Sequence, residues 1–503
     1  MPILNSSPAL PVVLLLPTAI AIPIVALLRK RLAYILTVAV MAVVTVISAL
    51  NMAKVLDGGP IHYWLGGWFP PIGIEYVLDR LSAFVILVVN AVAFLVLAHS
   101  RRLVDREIPD PGKHVPYYAV ALLMLCGFNG ILVTGDFFNL YVWLEICSLS
   151  LYGLVAVGSR KSAVAAFRYL IMGTVGACFY LLGLGFLFTV TGTLNMADLK
   201  AIFPQVAGQP TAVIGLVLMV VGFGLKMALF PLHGWLPDAY TQAPSSSSAL
   251  IAPIGTKVAA YVLIRVLFFV FGVEYVRQAV PVTQVIGGLA AAGILFGSVM
   301  AMAQKELKRM LAYSSVAQIG YIGLGIGLAN PLGFVGAVLH VMNHAVMKAL
   351  LFLAAGHFRM KLGHSTVPEF DESVRRRMPW TTAAFAVGAL SMVGLPPAVG
   401  FFSKWYLALG AVGRSNWVFL GVILLSSLLN AVYFFRVIER LYFVRGKTTA
   451  GSPEDAPAAV RAEAPWPMLV PVLILAAAII GLGLLNAVVV KGILAAAVPP
   501  GMG

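Results

Sequence analysis

The sequence predicts an all-α polytopic membrane protein of about fourteen transmembrane helices, arranged as two inverted five-helix repeats with one broken helix in each. Three observations carry that prediction. The 503 residues are 61% hydrophobic and 11% charged, with a mean hydropathy of +0.96, too apolar for a single soluble core. About 20 apolar residues span a bilayer, and fourteen segments approach that length. The seventh and twelfth segments are interrupted by proline, and each carries a lysine near the interruption.

The segments cover residues 9–28, 33–53, 78–98, 117–134, 137–158, 166–190, 211–231, 249–271, 280–303, 311–328, 332–358, 380–404, 416–435 and 467–490. They are expected to form one transmembrane domain over 1–503. Residues 1–116 supply helices 1–3, 117–271 the first repeat (helices 4–8), 280–445 the second (helices 9–13), and 467–503 helix 14 with the C-terminus. The stretch 446–466, GKTTAGSPEDAPAAVRAEAPWP with its flank, reads as a solvated cytoplasmic connector.

A net charge of +15 raises the question of nucleic acid, but the positions of the 34 Lys and Arg residues follow membrane topology instead. The loops after segments 1, 3, 5, 9, 11 and 13 hold most of them, including Arg29–Arg31, Arg101, Arg102, Arg106, Lys305, Lys308, Arg309, Arg375–Arg377 and Arg436. The opposite side has only Lys54, Arg80, Lys200, Arg277, Arg414 and Lys491. By the positive-inside rule both termini are expected on the non-cytoplasmic side of the cell membrane.

The first segment lacks a basic leader region and is followed by Arg29-Lys30-Arg31, the reverse of a cleaved signal peptide, so it reads as a retained helix. Cys126, Cys147 and Cys178 all lie in spans without a CxxC pair or metal set, and read as small apolar packing residues. No Walker loop, GxGxxG fingerprint or CxxCH motif occurs, so no cofactor site or catalytic site is expected in this chain. Its energy then comes from an ion gradient or a partner.

Lysine inside an apolar run needs a reason, because insertion scales place a charge at the bilayer centre at roughly +2.5 to +3.5 kcal/mol. Lys226 lies five residues before Pro231, and Lys404 seven after Pro397 in MVGLPPAVGFFSKWY; Lys257 lies in a third span. Proline frees backbone carbonyls that hydrocarbon cannot satisfy, so such breaks are tolerated where protein or water lines them. Interrupted helices at corresponding places in two halves point to an inverted-repeat transporter. Prolines that merely kink helices for packing are the alternative, weakened by the coincidence of a lysine with both breaks.

GDFFNLYVWLEICSLSLYGLVA, GFGLKMALFPLHGWLPDAYTQAPSSSSALIAPIGTKVAAYVLIRVL, LKRMLAYSSVAQIGYIGLG, HVMNHAVMKALLFLAAGH and GLPPAVGFFSKW follow one another between about residues 75 and 440. In that order they resemble the proton-conducting membrane subunits shared by Mrp-type multisubunit cation/proton antiporters, respiratory complex I and membrane-bound hydrogenases. The resemblance implies a fourteen-helix fold and a proton path along the middle of the membrane. It places the glutamate of the fifth helix at Glu145, the lysine of the broken seventh at Lys226, that of the eighth at Lys257, and the ionisable residue of the broken twelfth at Lys404. His340, His344 and Lys348 match the polar stripe of the eleventh helix.

The chemistry of these residue types is independent of the resemblance. An ion pair 4 Å apart at an effective dielectric of about 20 gains about 4 kcal/mol, and separation to 8 Å halves that. Opening and closing a Glu145–Lys226 pair therefore shifts proton affinity by an amount comparable to the roughly 2.3 kcal/mol that 100 mV supplies per charge. A static structural ion pair is the alternative. His340, His344 and Lys348 recur every four residues and share a helical face, where neutral imidazoles both donate and accept; packed core histidines are the alternative there. A zinc site at H-x-x-x-H lacks the internal Glu and a third ligand.

His233 falls seven residues after Lys226 and is a further relay candidate on the same helical face. Asp136 reads as an N-cap, Arg265 as a residue that snorkels from the far end of segment 8, Lys305, Lys308 and Arg309 as topology charges, and the GLGIG of 323–327 as a close-packing stretch.

Within the family, a lysine at 404 and the APSSSSAL segment, in place of the APTP pattern usual in complex I subunits, resemble the antiporter D-type subunit. The chain also ends about a dozen residues after segment 14, without the lateral helix of the largest complex I antiporter-like subunit. The expected partners are other membrane subunits of a hetero-oligomeric antiporter or respiratory complex, protons, a monovalent cation (Na+ or K+) and the lipid bilayer, with no nucleic acid. A proton-pumping subunit of a redox-driven complex and a non-transporting scaffold subunit are the alternatives.

Overall fold

The computed structural model describes residues 7–445 and 462–502, so most of the connector expected at 446–466 lies outside the described residues. Helices α1 (Leu10–Ala26) and α2 (Arg31–Gly58) lead to a small hairpin, β1 (Ile61–Trp64) against β2 (Glu75–Leu78). Then come α3 (Arg80–Glu107), α4 (His114–Val133), α5 (Phe137–Ala156) and α6 (Arg160–Thr191). A short α7 (Met196–Val206), capped by Asn195, precedes α8 (Pro210–Lys226), α9 (Leu236–Gln242) and α10 (Ser245–Ile264), which continues in wider π turns to Gly272. The second half holds α11 (Val282–Met302), α12 (Leu307–Leu328), α13 (Pro331–Leu362), α14 (Glu372–Arg377), α15 (Pro379–Val393), α16 (Val399–Gly413), α17 (Trp417–Tyr442), α18 (Trp466–Leu484) and α19 (Asn486–Val489).

Eleven helices among the described residues are long and apolar enough to cross a membrane. With α1 and the interrupted pairs α8/α9 and α15/α16, helix fills all fourteen predicted span positions. Several ends extend further than hydropathy alone marks: α3 runs to Glu107, α6 starts at Arg160, and α17 runs to Tyr442, each continuing into basic residues that solvent accommodates.

The two interruptions sit where the prolines put them. α8 stops at Lys226, and the chain to Trp235 is irregular, with Ala228 in the left-handed region at φ 62°. Trp235 Nε1 donates to the Leu225 carbonyl at 3.0 Å, satisfying one of the acceptors freed by the break. The second interruption spans 394–398, where Gly394 at φ 96° closes α15 as a left-handed cap. α13 is buried throughout its apolar middle and packs against α10, α12, α15 and α16, so the stripe of His340, His344 and Lys348 lies at the centre of the molecule. The GLGIG stretch is close-packed as expected: a Cβ on Gly327 would collide with the Gly287 Cα of α11.

Three expectations from the sequence are corrected. Arg265 does not end free at the surface: its side chain, 16% exposed, pairs with Asp79 at the N-terminus of α3. Lys308 is fully buried rather than a surface topology charge, its Nζ donating to the Ala243 carbonyl at 2.6 Å. Cys178 is exposed on the outer face of α6, unlike the buried Cys126 and Cys147. For Arg265 and Lys308 residue type and segment position are right, but the neighbour that decides the environment comes from a distant part of the chain.

Candidate functional site

Lys226 is the last residue of α8, and its side chain reaches across to α5. Its Nζ donates to Ser148 Oγ at 2.7 Å and lies 3.8 Å from Glu145 Oε1. Ser148 and Glu145 are three residues apart on one face of α5, so a single ammonium addresses both. The environments differ: the Lys226 side chain is 9% exposed, the Glu145 side chain 30%, because Glu145 stands at the outer edge of the helix packing. A cavity of about 30 Å³, room for one or two waters, is lined by Lys226, Ser148, Cys147 and, on α10, Gly255 and Val258. It therefore reaches the residues that flank Lys257.

Lys257 is held in α10 by its own helix, with Nζ donating to the Ala252 carbonyl at 2.6 Å and to Thr256 Oγ1 at 3.3 Å. It lies within Coulombic reach of Lys348, His344 and His340 on α13. Lys348 turns toward α12, donating to the Leu311 carbonyl at 2.6 Å and to Ser314 Oγ. Neither of these buried ammonium groups has a carboxylate partner among the described residues. A fixed positive charge held only by carbonyl and hydroxyl dipoles is expensive, whereas a neutral amine in the same place costs far less.

The two histidine rings stack, with centroids 5.8 Å apart, and both are fully buried. His340 Nδ1 is 2.9 Å from Ser403 Oγ on α16, one residue before Lys404. His340 Nε2, both nitrogens of His344, the Asn343 side-chain oxygen and the Gln318 amide are buried without a protein partner among the described residues. Buried polar atoms are nearly always hydrogen-bonded, so a row of such atoms is where ordered water completes the network. No third His, Cys, Asp or Glu joins His340 and His344 to make a metal-binding group among the described residues.

Lys404 closes the second break. Its Nζ donates to the Met392 and Val393 carbonyls, each at 2.9 Å, and to Ser427 Oγ at 3.3 Å. Met392 and Val393 are the final residues of α15, where the helix dipole presents partial negative charge. Each broken helix is thus tied to its lysine through different atoms. Lys226 ends its own first half-helix, and Lys404 reaches from the second half-helix back to the first.

His233 is not gathered with the others. The helix ends at Lys226, so a seven-residue spacing no longer fixes a common face, and His233 packs between Phe230 and Phe296 with ring centroids at 5.4 and 5.0 Å. Asp136 is the expected N-cap of α5, accepting from the Asn139 backbone N–H at 2.6 Å.

Three groupings of buried or partly buried ionisable residues are not foreseen from the sequence. Asp79 and Arg265 form a bidentate pair. Glu107 Oε2 accepts from the Ser245 N–H at 2.6 Å, with Lys308 within Coulombic reach. His99 on α3 meets His357 on α13. A histidine within an apolar segment was the available signal for the last, but its partner was not legible.

With this geometry in hand, comparison with known proteins is specific. A family model described as NADH:quinone oxidoreductase/Mrp antiporter, transmembrane, matches residues 134–430. The chain is 47% identical over 458 residues to an N-type subunit of the NADH-quinone oxidoreductase of Desulforudis audaxviator, covering 90% of each protein. It is 30% identical over 418 residues to the D-type subunit of a Na(+)/H(+) antiporter of Bacillus subtilis, covering 82% of this chain and 83% of the relative. Among solved structures, a chain of the membrane-bound sulfane sulfur reductase, an archaeal respiratory membrane complex, superposes with a TM-score of 0.87 at 30% identity, covering 97% of this chain and 96% of that one.

Proposed function

The chain belongs to the NADH:quinone oxidoreductase/Mrp antiporter family of membrane proteins, as an antiporter-like, proton-conducting subunit that works with other membrane subunits, and we propose that its buried lysines and histidines are the proton path. The observation that carries the proposal is the set of three deeply buried lysines, Lys257, Lys348 and Lys404, held by neutral dipoles alone on neighbouring helices. Such amines bind and release protons at little structural cost. Lys226 begins the path beside Glu145, water in the adjoining cavity links it to the helix of Lys257, and His344, His340 and Ser403 lead to Lys404. His233 stays a side branch. In this reading residues 117–271 and 280–445 are the two inverted repeats, each built around one broken helix.

Glu145 sets the first step. A carboxylate 30% exposed in the middle of a membrane helix needs cover, and a neighbouring subunit supplies it, so movement at that interface alters the 3.8 Å separation from Lys226. Glu145→Gln is expected to lower proton flux about tenfold while leaving assembly intact, measured as decay of a pH gradient in inverted vesicles; flux at the wild-type rate leaves a static ion pair. His344→Ala is expected to have a similar effect, and unchanged transport there would make the imidazoles packing residues only.

We place the chain in a monovalent cation (Na+ or K+)/proton antiporter, with both termini on the non-cytoplasmic side. Lys404 in the second broken helix and the similarity to the D-type subunit of an antiporter support that reading. A second reading, a proton-pumping subunit of a redox-driven complex, is favoured by the 47% identity to a quinone oxidoreductase subunit and the respiratory assembly matched in structure. The test is collapse of a pH gradient on adding Na+ or K+ to vesicles bearing the intact complex. Collapse that is lost in Lys226→Ala supports the antiporter. No cation response in an active complex selects the redox-driven pump, and unchanged activity in Lys226→Ala selects the scaffold role.

A further inference from the structure

On the face of α13 away from Lys348 a second set of ionisable groups is connected directly, protein atom to protein atom. His357 follows Lys348 by nine residues, two and a half helical turns, and so points the other way, toward α3. Its Nε2 lies 2.7 Å from His99 Nε2, the rings stack at 4.9 Å, and both residues are buried to within 1%. His357 Nδ1 lies 3.0 Å from Thr381 Oγ1 at the start of α15, and Thr381 Oγ1 lies 2.5 Å from Glu463 Oε1 just before α18. Glu463 is partly exposed, on the side of the molecule that carries the basic loops.

The hydrogen-bond order fixes every proton in this chain. A carboxylate only accepts, so Thr381 donates its hydroxyl proton to Glu463 and must accept from His357. His357 is then the Nδ1–H tautomer with a bare Nε2, and His99 must donate to it from Nε2–H, which leaves His99 Nδ1 bare. That Nδ1 is buried and has no protein partner among the described residues. The surrounding helices present more such atoms, the hydroxyls of Ser245, Ser246 and Ser247 on α10 and of Tyr117 and Tyr118 on α4. Ser245 is adjacent to this region, since a Cβ on Gly356, the residue before His357, would lie 3.1 Å from the Ser245 Cβ. Tyr117 lies beside Ser246 and Ser247, and Tyr118 beside Ser100, so these hydroxyls form a polar cluster in which water can complete the hydrogen bonding.

We propose that Glu463, Thr381, His357 and His99 form a second proton wire, which exchanges protons between the basic-loop surface and water in the buried interior. With Glu463 ionised, a proton taken up at His99 Nδ1 displaces the Nε2 proton to His357 Nε2, the His357 Nδ1 proton to Thr381, and the hydroxyl proton to Glu463. A proton arriving on Glu463 from solvent while His99 is the Nδ1–H tautomer runs the same steps backward, releases the His99 Nδ1 proton to the interior and leaves that nitrogen bare. His99, His357 and Thr381 each end with as many protons as they began, and only Glu463 changes its count. The capping role of Glu463 Oε2, which accepts the Trp380 and Thr381 N–H groups at 2.9 and 3.2 Å, accounts for that oxygen alone and not for the histidine pair.

This inference rests on the proton-conducting reading, and the test separates the two. In inverted vesicles bearing the assembled complex, Thr381→Val removes the hydroxyl at nearly constant volume, and Thr381→Ser keeps it. Proton flux reduced about tenfold in the valine variant and preserved in the serine variant is the expected result. Equal flux in both, or equal loss in both, overturns the wire. Lys226→Ala in the same vesicles reports on transport itself: inertness there removes the premise, while loss there with a normal Thr381→Val removes only the wire. Independently of flux, ¹⁵N-histidine NMR of the full chain in lipid, assigned with His99→Gln and His357→Gln, is expected to show His357 as the Nδ1–H tautomer and His99 as Nε2–H. The opposite pairing overturns the proposal even if the variants do not assemble.

Discussion

Lys226→Arg is expected to stop proton movement as fully as Lys226→Ala, lowering flux about a hundredfold or more, while the assembled protein keeps its thermal stability. The argument turns on what the two cations can do. Arginine preserves the positive charge and the donors that meet Glu145 and Ser148, so a purely structural ion pair survives the exchange. It does not release a proton in a protein, so a carrier does not survive it. Alanine removes both functions and leaves Glu145 unpaired, a cost softened by that carboxyl's partial exposure and by its ability to take up a proton. Measuring vesicle proton flux and melting temperature for both variants distinguishes the two roles. Wild-type flux in Lys226→Arg would reduce the pair to scaffolding and remove the first step of the path.

The sequence made the lysines conspicuous because their signal is local: a charge within twenty apolar residues is improbable unless something answers it, and prolines beside it mark the break. The span count was legible for the same reason, since hydrophobic length needs no knowledge of neighbours. What was not legible depends on pairs of residues far apart in the chain. His99 and His357 are 258 residues apart, and Asp79 and Arg265 are 186 apart. Lys308 follows a loop, so its charge read as topology, and only the approach of the Ala243 carbonyl shows it to be enclosed. His233 failed for the opposite reason: a helical spacing was carried across a proline where the helix had already ended. The hairpin of β1 and β2 has four residues per strand, too few for alternation to stand out beside the long apolar runs.

The Asp79–Arg265 pair carries the largest stability effect expected of a single substitution. Asp79 begins α3 with a capping box, accepting from the Ser82 N–H at 2.9 Å while its own N–H donates to Ser82 Oγ. Its two oxygens also take Arg265 Nη1 at 2.5 Å and Nη2 at 2.8 Å, and the guanidinium lies 4.7 Å from the Phe269 ring centroid. Burial alone would raise the Asp79 carboxyl, but Arg265 and the hydrogen bonds from Ser82 outweigh it and hold the group at about 2, below its ordinary 3.8. The sign follows: a depressed carboxyl contributes its stability above pH 4, and that contribution is lost as pH falls from about 4 through 2. Asp79→Ala strips the cap and leaves a guanidinium, 16% exposed, with only the Tyr261 hydroxyl to bond. The cost is about 3–5 kcal/mol for the broken buried pair, to which the lost cap adds about 1. Thermal melting of the purified chain at pH 7 should show that loss, with most of the pair's share recovered in Asp79→Ala/Arg265→Met, which removes the stranded charge. Asp79→Asn keeps the capping oxygen and should flatten the stability change between about pH 4 and 2. A single alanine variant within about 1 kcal/mol of wild type would show that α3 and α10 are joined by packing alone, and that the guanidinium finds water without its partner.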